Sequence, residues 1–115
     1  MKVRVVGFED VPGAAGVSMA MILDQTQLER IRVDAAVLEY GSSLPKHRAG
    51  QHQLFFVVSG TGRVAGADDI EVPVRPGSLV EWQPGEEHTS FADSRMTVLI
   101  IQERSVEIAS GVPSD

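Results

Sequence analysis

Glycine and proline cut this chain into runs too short for most helices, and that spacing constrains its fold more than any other feature. The clearest runs are Lys2–Phe8, Ile31–Tyr40, Gln53–Ser59, Ile70–Arg75, Ser78–Gln83 and Met96–Glu103. Val, Ile, Phe and Thr are frequent in them, and turn residues bound nearly all. Branched and aromatic side chains suit a pleated, half-buried surface. Strands at this spacing, with Gly-rich turns between them, predict an all-β sandwich or barrel. A βαβ chain would need amphipathic helices of about ten or more residues between its strands, and few windows offer one.

The best helix window is Ser18–Leu28, where Ser18 is a candidate N-cap and Ala, Met, Leu and Gln are good helix formers. A strand over Val17–Leu23 and a polar turn over Asp24–Arg30 fit the surrounding pattern better. In the Ile31 run, Ile31, Val33, Ala35 and Val37 alternate with Arg32 and Asp34, which predicts a strand that buries the first set. Residues 110–115, with Gly, Pro and Ser, read as a frayed tail.

A chain of 115 residues is the size of one ordinary domain, so a single domain over 1–115 is expected. Cysteine is absent, which removes disulfides, thiolate metal sites and thiol nucleophiles, and fits a reducing cytoplasm. The net charge of −6 and pI near 4.9 repel phosphate backbones, so no nucleic-acid partner is expected. Lys46-His47-Arg48 is the one basic cluster; it is too short for an electrostatic track, but it can help dock an anionic ligand. The apolar runs Leu54–Val58 and Val98–Ile101 fall far below the ~20 residues that span a bilayer. Glu9 and Asp10 end the N-terminal apolar run before a signal peptide could form. The expectation is a cytoplasmic protein with no membrane partner.

Two segments carry chemistry. The first runs from Gly41 to Gly60 and contains His47, Ala49, His52 and Gln53; the second runs from Gly77 to Ala92 and contains Pro84, Gly85 and His88. Gly41 stands six residues before His47, Gln53 seven before Gly60, and Gly85 three before His88. In this spacing the sequence resembles the cupin family. Its first motif places two histidines, one residue apart, and then a glutamate between two glycines. Its second motif places a proline, a glycine, a histidine and an asparagine after an opening glycine. Ala49 takes the place of the second histidine, Gln53 that of the glutamate, Gln83 that of the proline (with Pro84 beside it) and Ala92 that of the asparagine. Gly60-Thr61-Gly62 resembles the family's hairpin turn, and Pro76-Gly77 the turn into the second motif.

The resemblance implies a double-stranded β-helix, a jelly-roll-like barrel, with motif 1 over about 41–60 and motif 2 over about 77–92. It also implies a metal or ligand pocket, with His47, Gln53 and His88 as the candidate metal ligands and Ala49, Phe55, Val57 and Trp82 as pocket wall. Residues two apart on a strand share a face, which is how a His-x-His pair aims two imidazoles into a barrel. Here one imidazole is missing and the carboxylate is a neutral amide, so three uncharged ligands offset none of a divalent cation's charge. The cofactor is accordingly either a divalent metal (Fe, Mn, Ni or Zn) or none. Strand alternation turns His52 outward, and Arg48 toward solvent or a subunit interface. Trp82 and Tyr40 suit either a pocket mouth or plain core.

Three functions follow from different classes. The leading one is a degenerate pocket that binds a small molecule; the second is a metal-dependent oxygenase or isomerase using His47, Gln53 and His88; the third is a structural protein with a vestigial pocket. The barrel hosts many activities, so fold does not choose among them. Small cupins commonly dimerise through outer strands, which implies a homodimer, and an unpaired edge strand is a liability in any case. Neither a phosphate-cradling glycine loop nor a Gly-x-Ser-x-Gly elbow is present.

Overall fold

A computed structural model describes residues 1–7, 9–10, 12, 15, 18–19 and 31–103, with the backbone alone for Asp10, Ser18, Met19 and His47. Most of Val17–Leu23, the turn over Asp24–Arg30 and the tail over 110–115 therefore lie outside the described residues. Among those described there are eleven strands, and no helix is long and apolar enough to cross a membrane.

The strands are β1 (Lys2–Val5), β2 (Glu9–Asp10), β3 (Ser18–Met19), β4 (Ile31–Leu38), β5 (Ser43–Arg48), β6 (Gln53–Ser59), β7 (Gly62–Ala65), β8 (Glu71–Val74), β9 (Ser78–Trp82), β10 (Glu87–Ala92) and β11 (Met96–Glu103). They form a five-stranded sheet in the order β1-β9-β6-β11-β4, a four-stranded sheet in the order β5-β10-β7-β8, and the small β2–β3 pair. Every pairing is antiparallel. The all-β expectation holds.

The apolar runs noted in the sequence mark the middle of the larger sheet. β6 is its central strand, and Gln53 through Val57 are all buried, because both faces of the strand are covered. Such strands read as continuous apolar runs rather than alternating ones. On the inner face, Phe55, Val57, Val80, Trp82, Met96 and Val98 pack with Val64, Val74 and Ala92 of the smaller sheet. On the opposite face Leu54, Phe56 and Leu79 form a second cluster with Val6, Leu99 and Ile101. Each such side chain contributes about 1.5–3 kcal/mol when fully buried.

β4 corrects one expectation. Asp34, Ala36 and Leu38 lie on its inner face, while Val33 and Val37 are more than half exposed. The register with β11 decides this: Leu38 stands opposite Met96 and Ala36 opposite Val98, so the even-numbered residues join the core. Residues 35–38 are apolar on both faces, so alternation alone does not identify the buried one. Tyr40 is exposed and belongs to neither core nor cavity.

The motif glycines Gly41, Gly60, Gly77 and Gly85 all adopt positive φ, the left-handed region that costs an L-residue with a Cβ. At Gly60 space is short as well. A Cβ there would lie 2.1 Å from the Arg95 carbonyl oxygen and 2.7 Å from Met96 Cα. The β6–β7 hairpin and the β10–β11 turn therefore touch backbone to backbone at this point.

Candidate functional site

A cavity of about 230 Å³ opens between the sheets. Its floor is one cross-strand row of the larger sheet: Gln102 of β11 stands opposite Gln53 of β6, which stands opposite Trp82 of β9. In the adjacent row Ile100 stands opposite Phe55, and both line the cavity. The smaller sheet contributes His88 and Ser90 of β10 and Leu44 of β5. Arg48, Ala49 and Gly50, where β5 ends, also border it.

Local chain chemistry sets this arrangement. Between His88 and Ser90 the β5–β10 register shifts, so that His88 stands opposite His47 but Ser90 opposite Leu44. The extra step falls at Pro45-Lys46; proline has no N–H for the ladder, and bulges collect such residues. Thr89 Oγ1 donates to the Leu44 carbonyl at 2.8 Å and closes the gap. The turn of the second motif is tied to the end of β5 by two backbone bonds, Ala49 N–H to Glu86 O at 3.0 Å and Gly85 N–H to Ala49 O at 2.9 Å. This pairing fixes Ala49 and His88 on the same cavity.

His88 is buried, and its ring stacks on Trp82 with centroids 4.1 Å apart and planes 18° apart. Phe55 also meets the indole, edge to face, with centroids 5.4 Å apart. Nδ1 of His88 lies 3.2 Å from the Glu86 carbonyl oxygen. A carbonyl only accepts, so Nδ1 is the donor in this contact. Trp82 is 1% exposed, and its Nε1–H is buried with no acceptor among the described residues. An unsatisfied buried donor costs about 1–3 kcal/mol. Gln53 is 7% exposed, and its carboxamide forms no hydrogen bond among the described residues.

The structure thus brings Gln53, His88, Ala49, Phe55 and Trp82 together on one cavity. Val57 is fully buried in the core beyond it and does not line it. His47 stands opposite His88 on the backbone ladder, and its side chain lies outside the description. His52 is directed away from the cavity and bonds Glu81, Nε2 to Oε2 at 2.5 Å. Glu86 accepts from Gln83 N–H and pairs with the N-terminal ammonium, so it serves the turn. Sequence reading missed Gln102, Ser90, Leu44 and Ile100, whose signal is strand register rather than motif. Arg48, expected to face solvent or a subunit interface, is exposed and forms part of the cavity rim. Its neighbour Lys46 is paired with Asp69 at 3.0 Å, and that hydrogen bond raises the Lys46 pKa.

Over residues 36–102, more than half of its length, the chain matches the family model described as Cupin domain. The chain belongs to the cupin family. No curated protein matches the sequence, but solved cupins share its fold. A cupin superfamily protein from Desulfitobacterium hafniense DCB-2 is similar at 16% identity and a TM-score of 0.61, covering 81% of this chain and 83% of that one. A cupin-2 domain containing protein from Shewanella frigidimarina is 20% identical with a TM-score of 0.59, covering 69% and 76%. Salicylate 1,2-dioxygenase from Pseudoaminobacter salicylatoxidans, solved with gentisate, is 14% identical with a TM-score of 0.61, covering 64% of this chain and 20% of the enzyme.

Cupins often hold a metal, and the donor set decides whether this one fits. Among the described residues no group of three His, Cys, Asp or Glu side chains could hold an ion, and none that lines the cavity is a carboxylate. Ala49 offers a methyl where the motif has an imidazole. Gln53 offers a neutral oxygen where it has an anion, with the amide of Gln102 on one side and the indole of Trp82 on the other. Hard and borderline divalent ions favour anionic oxygen or several imidazoles, and the described cavity side chains, with His88 as the one imidazole among them, do not fit that requirement.

Proposed function

We propose that this cupin binds a small organic molecule in the cavity between its sheets, as a sensing or accessory module rather than through a metal-centred reaction. The observation that carries the reading is the Gln102–Gln53–Trp82 row along one cavity, where the indole N–H of Trp82 is buried with no acceptor among the described residues and the Gln53 carboxamide stands beside it. Buried polar groups in folded proteins are nearly always bonded, and a ligand that supplies the partners recovers that cost. At about 230 Å³ the cavity holds the volume of roughly seven or eight waters, so the ligand is smaller than a typical drug. Phe55, Ile100 and Leu44 supply an apolar wall, and the ring face of Trp82 suits a planar body.

A thermal-shift screen with small acids, sugars and phenols tests this on the intact chain. A ligand at about a hundred times its Kd adds about 2.7 kcal/mol to the folded state, on the order of 10 °C for a domain of this size. The expected result is at least one reproducible hit that weakens in Trp82→Phe and in Gln53→Leu. No hit in the panel would refute the reading. The metal-enzyme alternative is checked by elemental analysis of untagged protein and of His88→Ala. Near-stoichiometric Fe, Mn, Ni or Zn that disappears in the variant would replace the ligand reading with that one.

A further inference from the structure

Resting on the ligand-binding reading above, we infer that the cavity selects a small organic carboxylate over the corresponding amide or amine. The chain carries 16 acidic residues against 10 basic ones, yet none of the eleven residues bordering the cavity is Asp or Glu. The single charged residue among them is Arg48. Two neighbouring cations, Lys46 and Arg32, are engaged elsewhere. Lys46 is held by Asp69, and Arg32, in line with the Gln102–Gln53–Trp82 row, is held by Asp34 at 2.9 Å. Glu87 stands opposite Arg48 across the β5–β10 ladder, but Arg48 closes no ion pair among the described residues.

The polar groups on the cavity are biased toward donating. The indole of Trp82 is a donor only, a guanidinium is a donor only, and the carboxamides of Gln53 and Gln102 and the hydroxyl of Ser90 can each donate. A carboxylate accepts only, with about four lone-pair sites, so it satisfies such a set without presenting donors of its own. Arginine pairs with it in a planar fork. An amide of the same shape has two N–H groups that need acceptors and no charge for Arg48. An ammonium brings a cation to a rim that already holds one and finds no anion. The apolar wall of Leu44, Phe55 and Ile100 then takes the body of the acid.

Isothermal titration with benzoate, benzamide and benzylamine at pH 7, on the full chain and on Arg48→Gln, tests the inference. Arg48 is exposed, so its replacement leaves the fold intact. Benzoate is expected to bind at least tenfold more tightly than benzamide, with benzylamine weakest. Arg48→Gln should bring benzoate and benzamide within threefold of each other and leave the benzamide affinity unchanged. Raising the salt to 0.5 M should weaken benzoate alone, since screening acts on the charge at the rim. Equal affinity for benzoate and benzamide in the wild type, or tightest binding of benzylamine, would overturn carboxylate selection and leave the ligand-binding reading standing. A tenfold preference that survives Arg48→Gln would overturn the role given to Arg48. Binding of none of the three would overturn both the inference and the reading beneath it.

Discussion

Gly41 and Gly60 open and close the first motif, and they should respond very differently to the same methyl group. Both have positive φ, +78° and +82°, so alanine at either position pays the left-handed penalty of about 1–2 kcal/mol. Stiffening of the unfolded chain returns about 0.4–1 kcal/mol of it. At Gly41 nothing lies within 4 Å of the added Cβ, so the net cost of Gly41→Ala is about 1 kcal/mol. At Gly60 the Cβ meets the Arg95 carbonyl oxygen at 2.1 Å and Met96 Cα at 2.7 Å. Both atoms are backbone, so relief requires the β10–β11 turn to move. Met96 is fully buried in the main core, and moving it adds the cost of overpacking, about 1–3 kcal/mol. Gly60→Ala should therefore lose about 2–4 kcal/mol, a large share of the ~5–15 kcal/mol that holds a domain together. Urea unfolding of the two variants beside the wild type measures this, with unchanged m-values confirming that stability alone has moved. Losses equal within about 0.5 kcal/mol would show that φ accounts for both glycines and that the close approach at Gly60 carries no energy.

Three further substitutions probe the sheet faces. Gln53→Glu puts a carboxylate at a buried position (7% exposed) with neutral neighbours on either side, so its folded pKa should lie above the unfolded value of about 4.3. The folded state then holds the proton longer, and the variant should match the wild type below about pH 4 and lose about 1.4 kcal/mol for each pH unit between that value and the folded pKa; urea midpoints at pH 4, 6 and 8 check it, and no relative loss at pH 8 would refute it. Leu79→Ala, on the face away from the cavity, should cost about 2–5 kcal/mol because Leu79 is fully buried there. Val37→Thr, exposed on the same side of β4, should stay within about 0.5 kcal/mol by the same denaturation assay.

Local backbone chemistry was the legible part of this chain. β6 and β11 were bounded correctly from the sequence because each centres on an apolar run, Leu54–Val58 or Val98–Ile101, whose side chains, the exposed Val58 apart, pack into the clusters on both faces of the larger sheet. β5, β7 and β10 did not stand out. Pro45, Gly62 and the charged stretch Glu86-Glu87-His88 have low strand propensity, and these segments are strands because their ladders hold them. The face of β4 was misread for a related reason. Its apolar residues fall on both sides, and only the partner β11 decides which side is covered.

The cavity shows the same division between what is local and what is not. The motif glycines were readable because a turn with positive φ needs glycine wherever it occurs. Gln102 was not, because nothing near it in the chain gives it a role; it matters only as the residue that register sets opposite Gln53. With that row assembled, the departures from the family pattern stop being two separate losses. Ala49 withdraws a metal-binding imidazole, Gln53 withdraws the charge, and Gln102 and Trp82 extend the neutral polar row on either side. Arg48 at the rim, without an ion pair among the described residues, is the one charged residue described on the cavity. On the proposal made above, a cavity built this way complements an anion that accepts hydrogen bonds.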